Sequence, residues 1–375
     1  MKLATRRDDS RDGQLVVVSR DLKLAVIAEQ VTGTLQRALD DWAFMAPQLQ
    51  DLYDRLNQGR IPNSFPFVPS EYLAPLPRTF QQVSTSAYPV YWQRLQQAGL
   101  MTGMAVPATE AAHLTLIPSA SSGLLPPVGT VSLRHPDRMA GHAGGQASVS
   151  ADAPEGEDAP HPQGSPRPAT TASTGEQTVA PAETALGGLD FSAQLVAVCD
   201  DLPPDLTEAS ADRHLLLLGL ANGWRVHKAG QPTDLGQDYG LAAAPVLVTP
   251  DELGDAFRDG RIHRPLHCRV NGRSTGRLDA ATDMHHDFRQ LMLALARQVR
   301  VRAGCVISTG PISNANPDSG WNSIVEARAR RRLEGPSHNH AEGPAFMLPG
   351  DRIHIDMTDA RGQSLFGALT HQVVS

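Results

Sequence analysis

Apolar residues recur along this chain in two rhythms, and the places where each holds mark out its elements. Leu15-Val16-Val17-Val18-Ser19, a β-branched run after Asp12-Gly13, predicts a turn and then a strand. Between Val31 and Leu56 the spacing changes. Leu35, Leu39, Trp42, Leu49, Leu52 and Leu56 fall on one stripe, which predicts an amphipathic helix. Further along, Leu195–Cys199, Val246–Val248 and Leu266–Val270 read as strands and Phe288–Val299 as a second amphipathic helix. Cys305–Ile307 and Ile353–Met357 close the series as strands, with Gly, Pro or Asp nearby. Short strands with few helices between them predict a mainly β domain in the C-terminal half. No segment repeats at a fixed period.

From Pro136 to Gly188 both rhythms vanish. The stretch contains no Phe, Trp, Tyr or Ile and carries seven acids against two arginines, so it holds −5 of the chain's formal −7. Such a composition buries too little apolar surface to offset the entropy of ordering, which predicts a disordered insertion or tether, with a docking or regulatory tail as the alternative. The body left on either side is close to neutral.

Composition then excludes several classes. A chain of 375 residues, 41% of them hydrophobic, has enough apolar material for one large domain or two moderate ones. No apolar run approaches the ~20 residues needed to span a bilayer. Met1–Asp9 has basic residues but no apolar stretch, unlike a secretory signal. The acidic balance disfavours nucleic acid, whose phosphates call for clustered Lys and Arg. Three cysteines, Cys199, Cys268 and Cys305, share no close spacing, and an odd count argues against a disulfide framework or a Cys metal site. A reducing cytoplasm fits best.

Four segments bring a family into view. Asp12–Leu22, Pro75-Leu76-Pro77-Arg78, Thr249–Asp255, and Asp351–Ile355 followed by Gly362–Ala368, taken in order and spacing, resemble the bacterial fumarylacetoacetate hydrolase family. The resemblance implies an α+β, mainly β fold. A small N-terminal domain (1–74) precedes a C-terminal domain of β-roll type, which starts in 75–135, is interrupted at 136–188 and continues through 189–375. It also implies a homodimer, and hydrolysis of a carbon–carbon bond in β-diketo acids such as fumarylacetoacetate or acylpyruvates. In that family Mg²⁺ or Ca²⁺ is held by carboxylates and a His activates water, which is sensible chemistry for a hard cation polarising a diketone.

The family's chemical positions are altered here. Its paired ligands lie in an Asp-Phe-Glu-x-Glu stretch, which reads Asp190-Phe191-Ser192-Ala193-Gln194 in this chain. Residues two apart on a strand share a face, so Ser192 and Gln194 face together, but neither carries a charge. Asp190 persists, either as a residue of the same face or as a strand-start residue making local hydrogen bonds. A third ligand position is Gly223, within Leu218–Trp224, and a fourth is Ser84, with Tyr91 in place of the catalytic His. Asp238 stands where the family has a substrate-binding Lys, and Pro311 where a Gly-Thr turn supplies its Thr. Glu326 is retained, as a functional carboxylate or as a salt-bridged one. Losing four carboxylates removes most of the attraction for a divalent cation, so no Mg²⁺ or Ca²⁺ cofactor is expected.

Other constellations are sparse. His285-His286 and His338-x-His340 have no third ligand nearby in sequence and read as surface or loop residues. Arg225 and His227 follow the Gly223 position, so they are candidates for the pocket wall with His113, and an Arg there would hold a carboxylate. The expectation is a catalytically degenerate subunit or small-acid binder, present as a homodimer or paired with an active homologue. The alternative is an enzyme with remodelled, metal-independent chemistry in the same cavity, using Tyr91, Arg225, His227 and Glu326.

Overall fold

The β-branched N-terminus builds the first layer. In the computed structural model, which describes residues 1–101, 114–118, 123–132, 188–227, 237–335 and 343–375, Gln14–Val18 pairs antiparallel with both Lys2–Arg6 and Leu24–Ile27. The predicted helix of Val31–Leu56 forms as two, Leu35–Asp40 and Trp42–Asn57. The break falls at Asp41, whose backbone (φ −137°, ψ 50°) leaves the helical region. Leu35, Leu39, Leu49 and Tyr53 nonetheless pack on one core with Leu15 and Val17.

This layer is continuous with the rest of the protein. Lys2 and Leu3 sit opposite Val248 and Leu247, and Val248 in turn sits opposite Leu218. From there the sheet runs through Leu215–His227, Gly188–Cys199, Cys305–Ser308, Gln82–Thr85 and Leu116–Pro118, making eleven strands with Gln237–Ala243 paired alongside. A second sheet orders Arg273–Asp279, Pro265–Val270, Arg352–Met357, Leu369–Val374 and Val128–Ser132. Every strand expected from the sequence forms, most within a residue of the expected bounds. Gly188–Cys199 begins seven residues before the expected Leu195, and Leu215–His227 was not among the expected strands.

Those two long strands pair through their full length, from Gly188 opposite His227 to Cys199 opposite Leu215. Alternation sends Leu189, Phe191, Ala193, Leu195 and Ala197 into one core, which also holds Phe288, Leu291, Met292 and Leu295 of the helix Phe288–Ala296. Asp287 caps that helix, accepting from the amides of Arg289 and Gln290. The other face of Gly188–Cys199 changes character along its length. Val196 and Val198 join the core of the N-terminal layer, whereas Asp190, Ser192 and Gln194 are polar and still buried.

Two helices beyond the expected set cover the polar end of this face. Pro89–Gln97 and Ile324–Glu334 meet through Tyr91, Trp92, Leu95, Val325 and Ala329. Ile324–Glu334 is rich in Arg and Glu, which hides its helical stripe in the sequence. Strands still dominate, as the mainly β expectation requires. Among the described residues no helix is long and apolar enough to cross a membrane. The expected insertion at 136–188 lies outside the described residues, apart from Gly188, which already opens a strand.

Where the layers join, Lys2 is nearly inaccessible (3% exposed) and its Nζ donates to the carbonyl of Leu365 at 2.9 Å. Burial lowers its pKa to about 8, because the ammonium loses its hydration. Below that pH the folded chain carries the charged form at a cost, and the cost fades as pH rises from about 8 toward the unfolded value of 10.5. Comparing melting temperatures of the parent and Lys2→Met between pH 7 and 10.5 should show the difference moving in the parent's favour. A difference flat across that range would rule out a buried, titrating Lys2.

Candidate active site

Register brings the polar positions together. Asp190 sits opposite Arg225 and Ser192 opposite Gly223. Ser308 is opposite Val196 and next to Ser84 on the following strand. Because side chains on paired residues share a face, these residues form one polar row across four strands. The row floors a very small, open cleft with an internal volume of only about 10 Å³. Gln82, Ser84, Gln194, Gly223, Arg225 and Ser308 line it, with Gly240 and Leu241 from the neighbouring strand.

The neutral side chains in the row bond to one another. Ser308 Oγ donates to Gln194 Oε1 and accepts from the amide of Gly310 at 3.1 Å. Gln194 Nε2 donates to Ser192 Oγ at 2.8 Å, and Ser192 Oγ donates to the carbonyl of Gly223 at 3.2 Å. This chain crosses the space above Gly223. A Cβ placed on Gly223 would lie 2.3 Å from Gln194 Nε2 and 2.9 Å from Ser192 Oγ. Glycine leaves that room, and the Gln194 amide fills it.

Asp190 shares the face but is committed elsewhere. Its carboxylate accepts from the amides of Ile324 at 2.6 Å and Val325 at 3.0 Å, the first turn of Ile324–Glu334. Four amides at a helix start lack internal partners, and an acid there also meets the favourable end of the helix dipole. His227 Nε2 lies 3.4 Å from Asp190 Oδ2, and its ring stacks on Phe346. Tyr91 is buried behind this helix start, where Ser323 Oγ donates to its hydroxyl at 3.3 Å. Burial and the nearby Asp190 charge push the Tyr91 phenol well above its ordinary range.

Glu326 is a structural hub. Wholly buried, it accepts from Arg94 Nη1 and Ser313 Oγ, each at 2.6 Å, from Arg330 Nη2 at 3.3 Å and from the amide of Asn322 at 3.2 Å. It therefore ties the two covering helices to the loop after Cys305–Ser308, and it is not among the residues that line the cleft. Pro311 is buried just after Gly310, whose φ of +70° and close approach to the Thr85 carbonyl require glycine.

Of the residues singled out in the sequence, Ser84, Gln194, Gly223 and Arg225 line the cleft, with Ser192 directly beneath. Tyr91, His227, Pro311 and Glu326 lie in its surroundings but not in its wall. Asp238 pairs in register with Arg225 through its backbone. His113, His338 and His340 lie outside the described residues, as does the side chain of Asp238. His285 is exposed, and among the described residues no cluster of three or more His, Cys, Asp or Glu is placed to hold a metal. Gln82, Ser308 and Arg94 were missed. The available signal was a polar residue interrupting a strand, as in Gln82-Val83-Ser84 and at Ser308 after Cys305-Val306-Ile307.

Two family models match, Fumarylacetoacetase N-terminal domain 2 over residues 1–78 and Fumarylacetoacetate (FAA) hydrolase C-terminal over residues 137–374. The chain belongs to the fumarylacetoacetate hydrolase family, with that family's two-domain architecture. No curated protein matches it by sequence. Among solved structures it is similar to the fumarylacetoacetate hydrolase of the psychrophilic Exiguobacterium antarcticum, with 15% identity, 100% of this chain and 99% of that one covered, and TM-score 0.55. It is likewise similar to the maleylpyruvate hydrolase of Sphingobium sp. SYK-6, at 13% identity, 100% and 99% coverage and TM-score 0.54. That enzyme has also been solved with manganese(II) and pyruvate, a structure at 14% identity, 100% and 99% coverage and TM-score 0.55. At these identities the likeness establishes the fold.

The donor set at the altered positions does not fit a hard divalent cation. Two hydroxyls, one amide and a glycine supply no negative charge, the Gln194 oxygen is taken by Ser308, and Asp190 is taken by two helix amides. Two substitutions check this geometry by urea unfolding. Gly223→Ala should cost roughly 1–3 kcal/mol, because the methyl group collides with a bonded, buried amide. An unchanged midpoint would mean that Gln194 swings clear. Glu326→Gln should cost about 3 kcal/mol or more, since Arg94 and Arg330 lose their buried counter-ion.

Proposed function

We propose that this chain is a catalytically degenerate member of its family, a protein that keeps the scaffold, holds no divalent cation in the cleft and does not hydrolyse diketo acids. The observation that carries this reading is the Ser308–Gln194–Ser192 chain across Gly223, a self-satisfied neutral network where the family resemblance places a charged ligand cluster. The environment of Tyr91 favours degeneracy over remodelled acid–base chemistry. A phenol raised this far is a poor proton shuttle near neutral pH.

The cleft retains one role under this reading, the binding of a small carboxylic acid without metal. Arg225 is the one ionised side chain in its described lining, and a guanidinium matches a carboxylate by paired hydrogen bonds. As a subunit the chain would form a homodimer or pair with an active homologue. Its three cysteines are buried and unpaired, which supports a reducing cytoplasm.

Calorimetric titration with Mg²⁺, Ca²⁺ or Mn²⁺ should give no affinity tighter than millimolar, and ultraviolet absorbance of acylpyruvate enols should fall no faster than in buffer. Micromolar binding at one site, or turnover abolished by chelator, would overturn the reading. The manganese-bound maleylpyruvate hydrolase is the suitable positive control.

A further inference from the structure

The second sheet keeps one face in the core, through Leu266, Cys268, Ile353, Ile355 and Leu369. Alternation turns the residues between them outward, and arginine dominates there. Arg277 sits opposite His267, Arg269 sits opposite His354, and Arg352 is two residues from His354 on the same side. Across three neighbouring strands these arginines follow a diagonal, with Arg273 at the end of the hairpin. All four are exposed, and none has a side-chain hydrogen bond or ion pair with any described residue. The two acids on this face are turned to other donors. Asp356 Oδ1 accepts from Ser364 Oγ at 2.6 Å, and Asp279 Oδ1 accepts from the amides of Ala281 and Thr282, each at 2.9 Å. Partial burial lowers the His267 pKa, and the charges of Arg277 and Arg269 lower it further against the pull of Asp356.

Free guanidinium groups gathered on one face fit an anion, and the chain carries one of suitable character. Its acidic stretch holds seven acids against two arginines, and Asp152, Glu155, Glu157 and Asp158 fall within seven residues. Connectivity brings that stretch to the arginines. The chain leaves the sheet at Ser132, the end of the edge strand Val128–Ser132. Thr130 on this strand is opposite Gln372, which is opposite Arg352, so two strand spacings, about 10 Å, separate Arg352 from the departing chain. The roughly twenty residues from there to Asp152 can reach about 70 Å, far more than the face requires. A tethered partner is also present at a high effective concentration, so exposed ion pairs that are individually weak suffice to hold it. We propose that this arginine face is the docking surface for the chain's own acidic segment, with residues 152–158 set against Arg269, Arg277 and Arg352. The contact is electrostatic and exposed, so salt releases it.

The test uses the full-length protein and phenylglyoxal, which modifies accessible arginines, read residue by residue by mass spectrometry. At about 20 mM salt Arg269, Arg277 and Arg352 should react roughly threefold or more slowly in the parent than in a variant carrying Asp152→Asn, Glu155→Gln, Glu157→Gln and Asp158→Asn. The exposed Arg361 should react alike in both. Raising the salt to about 500 mM should bring the parent up to the rate of the variant. Reciprocally, a variant carrying Arg269→Gln, Arg277→Gln and Arg352→Gln should be cut after Glu155 and Glu157 by a Glu-specific protease roughly threefold faster than the parent at low salt. Equal arginine reactivity in the parent and the acid-neutralised variant would overturn the proposal. Protection that grows as the protein concentration is raised would give the face to a second copy. Phosphatidylserine vesicles or a single-stranded oligonucleotide protecting the arginines equally well in both proteins would give it to an external polyanion. Either result would overturn the assignment to the chain's own segment.

Discussion

Everything about the site depends on the antiparallel pairing of Gly188–Cys199 with Leu215–His227. Because side chains alternate strictly along a strand, this one ladder assigns each residue to a face, and a slip by one position would exchange the faces completely. Leu189, Phe191 and Leu195 would then fall among the polar side chains, and Asp190, Ser192 and Gln194 would fall among apolar ones, without their hydrogen-bond partners. Leaving those buried polar groups without partners is strongly unfavourable. The register that builds the core is thus also the register that lays out the polar row. One constraint fixes both.

The row itself is stable for a reason that separates it from a metal centre. Carboxylates gathered in a confined space repel one another and hold together only with a cation between them. A chain of hydroxyl, amide and hydroxyl has no such need, since each donor finds an acceptor within the row and the last bond ends on the backbone at Gly223. Asp190 illustrates the same principle. The one acid of the stretch has a structural occupation, holding the otherwise unpaired first-turn amides of Ile324 and Val325. Removing it would uncap a helix whose Glu326 anchors Arg94 from the neighbouring helix, so its loss would be felt well outside the cleft.

Much of this was legible from residues alone, for identifiable reasons. Strands announced themselves by β-branched runs, and the apolar stripe from Phe288 announced the helix Phe288–Ala296. The shared face of Ser192 and Gln194 followed from alternation, and their 2.8 Å contact agrees with it. The helix Ile324–Glu334 was not legible, because its charged residues are internally paired and give no apolar stripe. The break at Asp41 was hidden for the opposite reason: the apolar stripe runs on across it. Nothing local told that Glu326 meets Arg94, a partner 232 positions away in the sequence. Long-range pairings of polar groups leave no periodic trace. They are the part of a site that a sequence conceals most completely.

That asymmetry bears on what a site built on such a row can do. A network that satisfies itself needs no ligand, so Ser308, Gln194 and Ser192 place little demand on whatever enters the cleft. Orphan atoms do place such a demand. Ser84 Oγ and Gln82 Oε1 have no protein partner, on a strand flanked by Cys305–Ser308 on one side and Leu116–Pro118 on the other. If the cleft were merely a relic, substitution of Gln82 by an apolar residue of similar size would remove an unpaired acceptor and tend to stabilise the fold.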